Sequence, residues 1–481
     1  MHLLHLGSLV LLSVPAQVTS YAEATAVPLH IEVTQPAYVG EPIWVTASSG
    51  PIQNIRYPFH AAMEDIGCNR IELKRDGVSL PQLPPRSHAD QSGILCGSAA
   101  PPGSPQHRLP LHALFDIKES GSYSVRWTEM SLHVVSDWVS FEVLQPTAEQ
   151  HETWLSGLLA HPPENAGLLA GDFFPSLLAG VPDARVLKVF VSYLHAEDRM
   201  VSGMAAAGLE HFALSEVRPL VAESIVQNGP SEAIAYFATY HSGWTLADEN
   251  RIVHAVTEYL QPSRIPSQSA AAFTLLHFIF YIPNHAWPAD PELNMYADRR
   301  VLAAAPSVIA SGDTEVVHEL AVYLGSMSSP QAHDLLQHLA ERTDGAGEQA
   351  RIALTWHPDP TDLPRLAALL TEPGDADLRG TDRSSLPYSL VKGYGDAALP
   401  YLEKAVSSSP YVWVRTQCAE QLALHNRRAG FEFLIETVEG DPPYRAELMQ
   451  WVRSSFRQEL PPGANDQQIS EFLRSQLGKA R

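Results

Sequence analysis

The stretch Gly395–Gly440 constrains the chain more than any other. It sets three short amphipathic helices one after another with almost no room for loops. In the first, Leu399, Leu402, Ala405 and Val406 recur at i, i+3, i+6 and i+7, which lines one stripe of a helix of period 3.6. Ser409-Pro410 restarts the chain, since serine caps helices and proline suits a first helical position, where its missing N–H would have no partner anyway. The second helix aligns Val414, Cys418 and Leu422 with Ala419 beside them, and Asn426 ends it. In the third, Phe431, Leu434, Ile435 and Val438 form the stripe; Gly440 stops it and Pro442-Pro443 follows. None of these helices can bury its stripe alone. The unit therefore predicts stacked neighbours, an α-solenoid.

Copies of the unit lie nearby. Leu399-Pro400-Tyr401-Leu402 with Val406 recurs as Leu363-Pro364-Arg365-Leu366 with Leu370, 36 residues earlier. Leu402 and Val406 map onto Leu434 and Val438, 32 residues later, and a weaker copy sets Leu335 and Leu339 31 residues before Leu366 and Leu370. Val414-Arg415-Thr416-Gln417-Cys418-Ala419-Glu420-Gln421-Leu422 resembles the second helix of a HEAT repeat, and Pro400 and Pro364 fall where such repeats often carry a proline. Where the family often has an Asp that ladders with Arg, this sequence has Ser408-Ser409-Pro410, so a regular Asp–Arg ladder is not expected. The resemblance is clearest over residues 362–440. It implies an armadillo-like α-α superhelix and a tendency to bind proteins or peptides, not an activity.

From Pro28 to Leu144 the period changes to two. Leu29–Val33, Ile43–Thr46, Ile71–Lys74 before Asp76-Gly77, Leu109–Phe115, Ser122–Trp127 and Trp138–Val143 alternate, and about seven strands predict an antiparallel β-sandwich. Gly121-Ser122-Tyr123-Ser124-Val125 resembles a late strand of immunoglobulin-like domains. The fold class is thus a multidomain β plus all-α chain: an immunoglobulin-like sandwich over 27–145 with a Pro-rich loop at 80–110, then a HEAT-like helical domain over 147–481. Thr147 with Gln150 forms a capping-box pattern at the boundary, so residues from Thr147 onward are expected to fold without the sandwich.

Met1–Ser20 carries an apolar core from Leu9 to Val14 and small residues at Val18-Thr19-Ser20, as a secretory signal peptide does, with processing by about residue 26. Only His2 and His5 precede the apolar run, and no Lys or Arg does. The expected location is periplasmic or extracellular. No other run reaches the roughly 18 apolar residues of a membrane helix, so no integral segment remains after signal removal. Phe273–Ile282 comes nearest, at a length that suits a buried helix. Net charge is −22, with 13 acidic against 8 basic residues up to Gln145 and 41 against 24 beyond it. Neither part suits a nucleic-acid backbone. Cys68 and Cys96 could pair in an exported chain, which would stabilise it by about 3–4 kcal/mol; two unpaired thiols are the alternative. Cys418 reads as a small core residue.

Motifs of known chemistry are missing: no His-Glu-x-x-His, Gly-x-Ser-x-Gly, phosphate loop, Cys-x-x-Cys or calcium loop. No cofactor, catalytic residue or metal site is predicted. His333 and His338 lie about 140° apart on a helix and do not share a face, whereas His195 and Asp198 could. His107 and His112 read as surface histidines. Tyr236, Phe237, Tyr240, His241 and Trp244 read as helix core or, alternatively, as a ligand groove. The candidate binding surface is Tyr240, Trp244, Tyr401 and Trp413. The leading expectation is a non-catalytic exported scaffold that binds a protein or peptide. The alternatives are an envelope hydrolase without a local motif and a carbohydrate-binding protein using the sandwich loops.

Overall fold

The alternating segments fold into strands with their apolar residues on one side. The computed structural model describes residues 29–49, 69–83, 108–129, 134–180, 182–240, 244–261, 265–281, 290–372, 381–440, 445–461 and 464–480. The signal-peptide segment, Cys68, Cys96 and residues 84–107 of the Pro-rich segment lie outside them. Nine strands occur among the described residues: β1 (His30–Val33), β2 (Ala37–Tyr38), β3 (Trp44–Ser49), β4 (Asn69–Arg75), β5 (Val78–Ser79), β6 (Arg108–Pro110), β7 (Gly121–Glu129), β8 (Val134–Val135) and β9 (Val139–Leu144). One sheet has the order β1-β3-β6; the other runs β2-β9-β7-β4-β5, with β8 also paired to β7. All pairs are antiparallel except β2, which runs parallel to β9.

Asp76 and Gly77 have φ of 48° and 82° and link Arg75 to its partner Val78, the left-handed two-residue turn that suits strand twist. Ile31, Val45 and Leu109 from the first sheet join Leu73, Val125, Trp127 and Phe141 from the second in a single core. The alternation expected over Leu109–Phe115 stops after Pro110. Residues Leu111–Leu114 form a single helical turn, α1, because Leu111 and Leu114, at i and i+3, both enter that core.

The rest of the chain is helical, and packing groups it into two compact units. In the unit that carries the sheets, α2 (Ala148–Ala160), α3 (Ala166–Leu168), α4 (Phe174–Leu177), α5 (Ala184–Tyr193), α6 (Arg199–Leu209), α7 (Leu214–Asn228), α8 (Glu232–Tyr240) and α9 (Leu246–Thr257) follow in order. Thr147 and Gln150 close the predicted capping box at the start of α2. α4 packs on α6, α5 on both α6 and α7, α6 on α8 and α7 on α9.

The other unit begins with most of α10 (Pro266–Tyr281) and ends at the C-terminus. It contains α11 (Pro291–Ser311), all but its first turn, then α12 (Thr314–Ser326), α13 (Pro330–Leu339), α14 (Gly345–Leu354), α15 (Leu363–Ala368), α16 (Thr381–Tyr394), α17 (Leu399–Ser408), α18 (Val412–Leu424), α19 (Arg428–Glu439), α20 (Arg445–Ser455) and α21 (Asp466–Leu477). Many of these helices again meet their next-but-one neighbour: α12 packs on α14, α14 on α16, α16 on α18, α15 on α17, α17 on α19 and α19 on α21. Val414, Cys418, Leu422, Leu434 and Val438 are buried, as their spacing predicts. In the weaker copy the buried residue is Leu336 rather than Leu335. Pro410 stays outside the helix: Ser409 caps the end of α17, and α18 starts at Val412. Among the described residues no helix is long and apolar enough to cross a membrane.

Candidate functional site

The residues expected to form a binding surface are dispersed. Tyr240 ends α8, and Trp244, 3% exposed, is turned into the core of the same unit, where it offers no ring to a ligand. Phe237 is buried too, as a helix-core reading requires. Tyr401 is half-buried on α17, and Trp413 is 44% exposed on α18, the helix packed against it. Of the sandwich loops on which carbohydrate binding would rest, residues 50–68, 84–107 and 130–133 lie outside the described residues.

The histidines divide by burial. His195 Nε2 lies 2.8 Å from Ser224 Oγ, whereas Asp198 accepts the N–H groups of Met200 and Val201 and caps α6, so each side chain has its own structural partner. His112 is not a free surface side chain: it is half-buried, with its ring held between Ile43 N–H and Pro175 O. Among the described residues no group of three or more metal-ligating side chains is gathered.

His333 is the exception. It lines an open pocket of about 340 Å³ in the C-terminal unit, formed where two helix-to-helix turns meet. The first turn, Met327-Ser328-Ser329, leads to Pro330 at the start of α13. The second, His357-Pro358-Asp359-Pro360, follows α14, whose continuation the prolines forbid. Leu324, Leu336 and Leu354 supply apolar wall. The floor depends on Gly325, where a Cβ would stand 2.5 Å from Ala353 Cβ, so only glycine lets α12 and α14 approach this closely.

Among the described residues, Asp359 is the one carboxylate in the lining. Asp359 Oδ1 accepts bonds from the N–H and hydroxyl of Thr361, both at 2.8 Å, and these hold its carboxyl below the ordinary range. Asp362 begins α15; its side chain is 6% exposed. Its Oδ1 accepts from Gln337 Nε2 at 2.8 Å, and its Oδ2 lies 3.1 Å from His333 Nε2 without hydrogen-bond alignment. Tyr394 Oη is also buried without a hydrogen bond. Burial first, then the charges of Asp362 and Asp359, push its pKa up. A buried oxygen left without a hydrogen bond costs about 1–3 kcal/mol, more for a charged group. On the other side, His357 Nε2 lies 3.3 Å from Ser326 O, and Ser326 Oγ lies 3.1 Å from the half-buried His277 Nδ1.

Sequence reasoning weighed His333 only against His338, because it compared residues on one helix. Its partner Asp362 comes from α15, 29 residues on. The available signal was the Pro358–Pro360 break, which marks a turn carrying two acids within five residues. Compared with known proteins, the chain matches no protein-family model and no curated protein.

Proposed function

We propose that this chain is an exported, non-catalytic scaffold: an immunoglobulin-like β-sandwich followed by a HEAT-like superhelix that holds a protein or peptide. Support for the sandwich comes from strand order. Reading β1, β3 and β6 as A, B and E puts β4, β7 and β9 in the places of C, F and G. The Tyr123 hydroxyl, at the start of β7, donates to Glu119 O at 2.8 Å, as a tyrosine corner does. Next-but-one helix packing supports the superhelix, as expected when two-helix units stack. Arg415, which HEAT repeats commit to an Asp ladder, instead lies over the Phe433 ring at 5.3 Å.

The observation that carries the binding reading is the open pocket between the two turns, which has apolar walls with His333, His357 and Asp359 among them. Ser328 is an exposed residue on its lip, so Ser328→Trp should fill the pocket at little cost to stability, within about 0.5 kcal/mol. Affinity capture from the envelope fraction of the organism of origin, read by mass spectrometry, should recover a partner with the native protein and lose it with Ser328→Trp. Identical recovery by both would remove the pocket from the function. A hydrolytic reading has the His333–Asp362 contact in its favour, since a carboxylate can orient a histidine base. It requires turnover of an ester or peptide that His333→Ala abolishes.

A further inference from the structure

We propose that His112 is an acid-sensitive latch between the sheets and the helices that follow them, and that its protonation opens this joint while the cores on either side stay folded. The joint belongs to the unit that carries the sheets, so it stands or falls apart from the binding reading. From the strands come Ile43, one residue before β3, and α1, whose Leu111 and Leu114 are anchored in the strand core. From the helices comes α4, whose Phe174 ring lies 5.3 Å from the rings of both Phe190 and Tyr193. His112 spans the two: Ile43 N–H donates to Nδ1 at 3.2 Å, and Nε2 lies 2.9 Å from Pro175 O. The Trp44 ring meets the imidazole edge-on at 6.0 Å. Beside it the turn before β3 touches the segment after α4. A Cβ at Gly180 would stand 3.2 Å from Gly40 O, and the His151 ring of α2 would lie 3.6 and 3.5 Å from a Cβ on Gly40 and on Gly180.

These two hydrogen bonds make the joint a proton sensor. Pro175 O can only accept, so Nε2 carries the proton and Nδ1 offers its lone pair to Ile43. A further proton can go only to Nδ1, where it would face the Ile43 N–H, donor against donor. The ionisable groups on the elements around the ring are Glu41 before β3, Asp116 after α1, His151 on α2 and Asp172 before α4. Among the described residues none of them holds a proton on the ring, and burial pushes its pKa down to about 4. An opened joint returns the imidazole to water, where it binds a proton near its ordinary value of about 6.5, so acid favours opening. Glu41 acts in the opposite sense: burial raises its pKa, although His151 lowers it, so acid relieves that carboxyl rather than straining it. The strand core and the Phe174–Phe190 contact contain neither histidine nor carboxylate, so the opening stays local.

The test is hydrogen exchange of the full chain, read by mass spectrometry and corrected for the intrinsic pH dependence of exchange. Between about pH 7.5 and 4.5, protection over 41–46, 111–115 and 174–178 should fall by about tenfold or more, while 123–127 and 186–190 keep theirs. His112→Gln offers the same acceptor and donor but cannot titrate, so the joint segments should lose less than about twofold over that range. Glu41 and His151 are present in both proteins, so the difference between them isolates His112. Nitrogen NMR of the native imidazole gives a second reading that holds even if the variant folds poorly. His112 should show the Nε2–H tautomer at neutral pH and become charged only in step with the loss of protection at the joint. Joint protection that does not change with pH overturns the proposal, as does an equal loss in a folded His112→Gln. It also fails if the core segments open together with the joint, or if His112 charges near its ordinary pKa while the joint stays protected.

Discussion

His112 shows at the residue scale what a sequence conceals. Next to a Pro-rich segment it reads as a surface histidine, yet Ile43 N–H donates to its Nδ1 at 3.2 Å and its Nε2 lies 2.9 Å from Pro175 O. Because a carbonyl only accepts, Nε2 must carry the proton and Nδ1 the lone pair, so both ring nitrogens are used in the neutral form. Burial pushes its pKa down to about 4. Between that value and the ordinary one near 6.5 the unfolded chain binds more protons than the folded one, so stability rises with pH in this window. The contribution is complete above about pH 6.5 and lost as pH falls toward 4, on the order of 3 kcal/mol. His112→Gln cannot titrate. Urea unfolding should show it weaker than native near neutral pH by about 1–3 kcal/mol, with a shallower loss on acidification. Parallel losses in the two proteins would exclude this role. His277, also pushed to about 4 by burial, contributes its own slope to both, so the difference between the proteins is what counts. Partners 69 and 63 residues away decide the burial of His112, and no local pattern carries them.

Elements were legible where a local rule fixes them. The Thr147 capping box, the Asp76-Gly77 turn and the stop at Asn426 all depend on a few adjacent residues. Asn426 takes φ of 55°; its N–H donates to Ala423 O and that of Arg427 donates to Leu422 O, a complete Schellman end for α18. Helix contacts were legible only as stripes. Leu402 is fully buried where α17 meets α15, α18 and α19, so Leu402→Ala should cost about 2–5 kcal/mol. Half-buried Tyr401, one position along, should cost less on truncation, about 1 kcal/mol. Hydrogen exchange over 396–440 should accelerate strongly in the first variant and little in the second; equal effects would show that the stripe is misplaced. Gly430 is a sharper case that spacing did not flag. A Cβ there would stand 2.6 Å from both Ala419 O and Ala423 N, backbone atoms that cannot swing away. Gly430→Ala should therefore destabilise by about 1–3 kcal/mol although alanine favours helices, and a stabilised variant would contradict the close approach of α18 and α19.

At the scale of the whole molecule, the change of hydrophobic period marked the passage from strands to helices at Pro146, but packing does not divide there. The sheets and the helices through Tyr259 form one compact unit, and Leu260–His277 with Asn294–Arg481 forms the other. The cause is visible within the first unit. His112 meets the Pro175 carbonyl within α4, and a Cβ at Gly180 would stand 3.2 Å from Gly40 O, so the early helices lean on the strands. The pocket of His333, His357 and Asp359 lies wholly in the second unit, which keeps a core of its own from Ala419 to Leu473. This changes the expected result of cutting the chain. A fragment Leu260–Arg481 should melt cooperatively, show strong helical circular dichroism and retain the ring signals of His333 and His357. A fragment Thr147–Arg481 should keep exchange protection over 294–481 but lose it over 147–180, where the strands have been removed. Full protection over 147–180 would show that the capping box and local packing hold α2 to α4 unaided, and the contacts of His112 and Gly40 would then be incidental. A fragment Leu260–Arg481 without a cooperative transition would show that the second unit depends on the first for its fold.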